Sequence, residues 1–261
     1  MVSRSPAVAD LFYPGDPAEL AGTVRAYLDR ADAPTVALRP KALIVPHAGY
    51  AYSGPVAATA YRTLEPFRHE VERVILMGPA HRVYLEGLAV PETDAFAVPT
   101  GNVPVDVEAV ARLLELPGVL ASDQAHAAEH CLEVHLPFLQ AVLDRFSIVP
   151  VVVGACSSEL VADVLDLLWG GDETLIVVSS DLSHYHPYEV AQALDAATAG
   201  EILARACNLT GEQACGAVAI NGLMLAATGH DLQVRELDLR NSGDTAGDRD
   251  RVVGYGAFAL D

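Results

Sequence analysis

Three histidines each stand just behind a run of apolar residues. Ala42–Pro46 leads into His47, within Pro46-His47-Ala48-Gly49-Tyr50. Val74–Gly78 leads into His81, and Leu175–Ser179 leads through Ser180 into Asp181 and His184. Neutral imidazole is the commonest metal ligand, and it exchanges protons near neutral pH. A metal site built on imidazole also calls for an anionic donor, and Asp181, Glu133 or a thiolate could supply it. Cys215 sits in Gln213-Ala214-Cys215-Gly216, just ahead of a helical pattern that begins at Ala217. A helix N-terminus lowers a thiol's pKa and favours the thiolate, the ligand and nucleophile form. Cys131, Cys156 and Cys207 read instead as small buried apolar residues.

The segment Glu129-His130-Cys131-Leu132-Glu133-Val134-His135-Leu136-Pro137 concentrates further polar groups. His130 and His135 are five apart, so they do not share a helix face as the i, i+4 pair of a HExxH zinc site does. Two readings stay open. The segment is an acid-rich helix start whose histidines are satisfied by neighbours, or His130, Glu133 and His135 orient ligands and bind substrate. His69, His126 and His230 fall in polar connections and are expected at the surface.

These residues need a frame that brings them together. Strand-like runs are Ala42–Pro46, Val74–Gly78, Ile148–Gly154, Leu175–Ser179, Val234–Leu239 and Val252–Ala259. Helical patterns cover Pro17–Ala31, Pro55–Leu64, Asp106–Leu116, Val134–Phe146, Ser158–Trp169, Tyr188–Ala206 and Ala217–Ala227, with Ser53 as cap of the second. The alternation predicts an α/β layered sandwich: a central, largely parallel mixed β-sheet flanked by helices. The runs ALIV, VILM, VPVVV and LIVV are apolar throughout, as strands covered on both faces are. The last two strands, joined by the Gly/Asp-rich stretch Asn241–Arg251, suggest a hairpin. In open α/β sheets, ligands bind beyond the carboxyl ends of the strands, which is where the three histidines would converge.

Composition narrows the function classes. The 261 residues are 51% apolar, enough to exclude a disordered chain, and residues 1–261 read as one domain. The formal net charge of −19 argues against nucleic acid and anionic membrane as partners. No stretch approaches the ~18 consecutive apolar residues of a membrane span, and the start shows no signal-peptide pattern. None of the four cysteines forms a CxxC pair, so neither a zinc ribbon nor a thioredoxin-type dithiol is suggested, and in a chain of this size without a signal-peptide pattern they are expected reduced in a cytoplasmic protein. Neither GxSxG nor GxGxxG occurs, so neither a nucleophile elbow nor a dinucleotide fingerprint is present. Asp244–Asp250 lacks the calcium-loop pattern and reads as a solvated turn.

Several motifs in fixed order resemble one family. They are PAVADLFYP at 6–14, PHAGYAYSGPVAATAY at 46–61, GPAHR at 78–82, EHCLEVHLPFLQ at 129–140, SSDLSH at 179–184, Cys215-Gly216, and the ending NSGDTAGDRDRVVGYGAFAL. This set resembles the Memo family, whose prokaryotic members are labelled AmmeMemoRadiSam system protein B. That family is similar to the class III extradiol (LigB-type) non-haem iron dioxygenases, where two histidines and a glutamate bind Fe(II) and another histidine acts as acid/base. The resemblance implies His47 and His81 as metal ligands, Cys215 in the third place, and His184 as acid/base with Asp181 beside it. It also implies that Phe12 lines the cleft. The implied cofactor is iron, with copper or zinc as alternatives, because a thiolate is softer than a carboxylate. The family name further implies radical SAM and AMMECR-type system partners.

Three functions fit these features. A metal-dependent redox enzyme would use His47, His81 and Cys215 with His184 moving a proton. A non-catalytic module would hold a peptide or protein in the same cleft. A zinc hydrolase would use a His₂Cys site with bound water, although no motif points to a scissile substrate.

Overall fold

The computed structural model describes residues 2–32 and 39–261. The strands are β1 (Ser3–Arg4), β2 (Ala42–Val45), β3 (Arg73–Pro79), β4 (Leu88–Val90), β5 (Ala95–Val98) and β6 (Gly101–Pro104). They continue with β7 (Val119–Ala121), β8 (Ser147–Val153), β9 (Thr174–Ser179), β10 (His184–His186), β11 (Val234–Asn241) and β12 (Val252–Leu260). The helices are α1 (Pro17–Arg30), α2 (Tyr50–Arg62), α3 (Val107–Leu113), α4 (Asp123–Ala127), α5 (Leu136–Val142), α6 (Ser158–Leu168), α7 (Tyr188–Leu203) and α8 (Ala217–Gly229).

The main sheet runs β10-β12-β2-β9-β3-β8-β4-β7, with β11 paired to β12. Its centre, β2-β9-β3-β8, is parallel. Antiparallel partners flank it, β12 against β2 and β4 against β8. The expected mixed, largely parallel sheet is therefore observed, and β11–β12 form the antiparallel pair read from the sequence. Every residue of β2 and β9 is buried, which is why their sequences show no alternation. A smaller sheet, β1-β5-β6, carries the N-terminal strand.

Helices form where caps and apolar spacing agree. Asp16 caps α1 by accepting the Ala18 and Glu19 N–H groups at 2.9 Å each, Pro17 opens it, and Leu20, Val24 and Leu28 line the buried stripe. Ser157 caps α6, whose Val161, Val164, Leu165 and Leu168 face the core. Helices α6 and α8 approach closely at Gly222, where a Cβ would lie 2.4 Å from Val161 Cβ. No helix among the described residues is long and apolar enough to cross a membrane.

Some local expectations need correction. Helix α2 begins at Tyr50, not Pro55, and Ser53 lies inside it, giving its hydroxyl to the Ala48 carbonyl at 2.8 Å. Pro55 is tolerated because the carbonyl it leaves unbonded belongs to exposed Ala51. The helix expected over Val134–Phe146 is a 3₁₀ turn at Glu133–His135 followed by the short α5. Strands β1, β4 to β7 and β10 were not legible, being short and lacking a continuous apolar run.

Candidate metal centre

The parallel strands β2, β9 and β3 lie side by side, so their carboxyl ends deliver His47, Asp181 and His81 to one edge. The loop before α5 brings Glu129, His130 and Cys131 to the same place, and the start of α8 brings Cys215. His47, His81 and His130 present ring nitrogens that all lie within 4.8 Å of one another. The His47 ring meets His81 and His130 edge-on, with centroids 5.1 and 5.4 Å apart, and His130 stacks on His81 at 4.7 Å. Cys215 borders the group at His47, its Sγ 3.4 Å from Nε2.

Each member is held by specific bonds. The His47 backbone N–H donates to Asp181 Oδ1 at 2.7 Å, and its Nδ1 lies 2.7 Å from Ser179 Oγ. Glu129 grips His81 twice, accepting its backbone N–H at 2.7 Å and facing its Nδ1 at 2.9 Å. The pairing of a carboxylate with the far nitrogen of an imidazole is common behind metal-binding histidines. The Cys215 sulfur accepts the Asp181 N–H at 3.2 Å.

Burial sets the charge states. It pushes the His47 pKa far down, and the neighbouring His81, His130 and His135 add to the effect, so the ring is neutral and ligand-ready. Burial alone would raise Glu129, yet hydrogen bonds from His130 and His81 hold it well below the usual carboxylate range. Burial raises Asp181 despite the His47 N–H bond and the nearby His184. Cys215 is also corrected here. The helix N-terminus was expected to favour its thiolate, but burial, with Asp181 adding to it, pushes the thiol up to about 12. Desolvation of a sulfur this buried outweighs the helix-end field.

The other expected site residues divide. His184 lies near Asp181 but outside the three-imidazole group; its Nδ1–H donates to the Leu182 carbonyl at 2.8 Å. Phe12 flanks the cluster, its ring 4.8 Å from His130. His135 stands behind it, Nε2 2.8 Å from Ser179 Oγ. Glu133 does other work. It is fully buried and accepts from Arg4 Nη1 at 2.5 Å, the Ala7 and Val8 N–H groups at 2.7 and 3.0 Å, and the Tyr13 hydroxyl. It thereby ties down the segment that carries Phe12. Of the histidines expected at the surface, His126 is buried instead, with Nε2 3.1 Å from the Ala89 carbonyl and its pKa lowered to about 4 by desolvation.

Sequence reasoning missed Glu129, Ser179 and the placement of Cys131. Cys131 is buried as expected, but its sulfur falls within 4.8 Å of ligand atoms of His81 and Glu129. Its burial and the Glu129 charge raise its pKa well above the ordinary thiol value. The available signal was adjacency, since Glu129 and Cys131 flank His130 and Ser179 ends the strand before Asp181.

A cavity of about 230 Å³ opens beside Cys215, lined by Pro79, Ala80, Tyr84, Leu85, Gly154 and Ala219 among others. Gly216 fixes Cys215 against the sheet, because a Cβ there would lie 2.7 Å from the Ser179 carbonyl oxygen and 2.7 Å from Ser180 Cβ. Gly216→Ala is expected to cost about 1–3 kcal/mol of stability in a urea titration, as overpacking does. A cost near zero would show that the contact is slack.

Comparison with known proteins gives the family. The family model described as Memo-like protein matches residues 4–259. A MEMO1 family protein of Aquifex aeolicus is 37% identical, with 97% of each chain covered. One from Methanothermobacter thermautotrophicus is 35% identical over 97% of this chain and 98% of its own. One from Methanopyrus kandleri is 36% identical over 99% of both. Among solved structures, uncharacterized protein JW3007 from Escherichia coli K12 shares the fold at a TM-score of 0.55 and 14% identity, covering 84% of this chain and 99% of that one. With the family model spanning nearly its whole length and relatives aligned end to end, the chain belongs to the Memo family.

Proposed function

We propose that this protein is a metal-dependent redox enzyme whose iron or copper ion is held by His47, His81 and the Cys215 thiolate. The observation that carries the reading is the convergence of the His47, His81 and His130 imidazoles at one edge of the sheet, with the Cys215 thiol 3.4 Å from His47 Nε2. The donor set fits. His47 is neutral, and the Glu129 carboxylate backs both His81 and His130, whose Nδ1 atoms lie 2.9 and 3.2 Å from its Oε1. Imidazole with thiolate suits iron, copper or zinc, and similarity to the class III extradiol enzymes favours the redox-active pair. When bound, such an ion supplies Lewis acidity and an electron-transfer couple.

The chain's own residues do the rest. Asp181 anchors the His47 backbone and gives its N–H to the Cys215 sulfur, so one residue sets the distance between two ligands. His184 commits its Nδ1–H to a carbonyl, so Nε2 is the atom that would take and return a proton. Phe12 covers the cluster at His130, and the cavity beside Cys215 offers room for a small-molecule or peptide ligand.

The test is metal uptake followed by proton count. Burial pushes the Cys215 thiol up to about 12, so it holds its proton at pH 8 and must lose it to bind as thiolate. Anaerobic Fe(II) added in weak buffer should release about one proton per ion from the native protein and close to none from Cys215→Ser. Uptake with no proton release would remove the thiol from the site, and no uptake of iron or copper would overturn the reading.

A further inference from the structure

Ser179, the last residue of β9, is fully buried, and its hydroxyl has three polar neighbours. The Cys131 carbonyl oxygen lies 2.7 Å from Oγ, His47 Nδ1 2.7 Å and His135 Nε2 2.8 Å. A serine hydroxyl has one proton and two lone pairs. A carbonyl only accepts, so the Ser179 proton goes to Cys131. The two lone pairs remain for the two rings, which must therefore carry protons on His47 Nδ1 and His135 Nε2. A neutral imidazole has one N–H, so the lone pair of His47 lies on Nε2, the atom that faces Cys215.

We propose that Ser179 and His135 are positioning residues that hold His47 in its Nδ1–H tautomer and so keep Nε2 open toward the metal cluster. His135 completes the count. Without its N–H, one serine lone pair is free and the hydroxyl can turn. It can then offer its proton to His47 Nδ1, which sends the ring proton to Nε2 and closes the ligand atom. His81 is fixed differently, by the acceptor-only carboxylate of Glu129. The two devices meet at Cys131, whose N–H donates to Glu129 Oε1 at 3.2 Å and whose carbonyl takes the Ser179 proton. A neutral hydroxyl behind His47 spares the site a further buried charge next to Asp181, where an additional carboxylate would be costly.

The inference gives a supporting role to the site proposed above, yet it is testable on metal-free protein. Long-range ¹⁵N–¹H correlation spectra of ¹⁵N-histidine-labelled protein at pH 8 read each ring's tautomer, and His47→Ala assigns the His47 signals. The native protein should show His47 protonated on Nδ1. Ser179→Ala and His135→Leu should each shift population to Nε2–H. His135→Gln, whose amide can donate from a similar place, should retain the native tautomer. Native protein protonated on Nε2, or a native-like tautomer in both Ser179→Ala and His135→Leu, would overturn the proposal. In a parallel Fe(II) titration, Ser179→Ala and His135→Leu should lose about 10–100-fold in affinity, and His135→Gln should stay near native. Native protein with the expected tautomer but no Fe(II) binding would support the lock and contradict the metal reading.

Discussion

Replacing His47 with alanine is expected to weaken Fe(II) binding by more than about 100-fold while leaving the chain folded. Losing an outer partner of a ligand already costs about 10–100-fold, and losing the ligand costs more. His47 is buried at the junction of the site. Its ring touches those of His81 and His130, and its Nε2 faces Cys215. Its backbone N–H bond to Asp181 does not depend on the ring, so the loop keeps its anchor in the variant. The space left behind is lined by polar groups and can take water. His69→Ala is the control, because His69 is exposed and pairs with Asp144 far from the cluster. Competition titration against a chromophoric chelator measures the affinity, and circular dichroism checks the fold. An affinity close to native in His47→Ala would exclude the ring from the site.

Glu133→Ala is expected to be among the most destabilising single changes in the molecule, at about 3–5 kcal/mol, because it breaks a buried ion pair and strands its partner. Arg4 and Glu133 are both buried, and removing the carboxylate leaves the guanidinium with the His126, Glu129 and Ser5 carbonyls and the face of the Phe96 ring, with no anion among the described residues to pair its charge. The Ala7 and Val8 N–H groups and the Tyr13 hydroxyl lose their acceptor at the same time. Unmade buried bonds of this kind cost about 1–3 kcal/mol each before relaxation. Release of the segment would also move Phe12, whose ring lies against His130 and whose carbonyl accepts the Tyr50 N–H at 2.8 Å. Urea unfolding gives the stability, and limited proteolysis near Asp10 reports the loosened segment. A loss below about 1 kcal/mol, the scale of an exposed pair, would show that the network is dispensable.

The parts of this architecture that were legible in the sequence are those with one dominant physical signal. Continuous apolar runs mark β2, β3, β8 and β9 because both faces of these strands are covered. The placement of His47 and His81 followed from strand ends alone. What was hidden depends on tertiary contacts. Glu133 and Glu129 are both acids beside histidines, and nothing local says that one binds the N-terminal segment while the other backs His81. His126 sits among polar residues yet faces Ala89 and Phe96 in the interior. For Cys215 the local signal, a helix start, pointed the wrong way, because burial rather than the helix end controls the thiol. His130 was legible as a polar neighbour but not as a member of the imidazole cluster, since that depends on how its loop folds back over His81.

X-ray absorption at the iron edge of the anaerobically loaded protein tests the central claim most directly. A centre built from His47, His81 and Cys215 should show about one iron per chain, imidazole scattering, and one sulfur at roughly 2.3 Å, the length typical of metal–thiolate bonds. That sulfur should vanish in Cys215→Ser. A shell of nitrogen and oxygen alone in the native protein would give the third place to His130 or water, and substoichiometric iron unaffected by loss of His47 would contradict the metal centre itself.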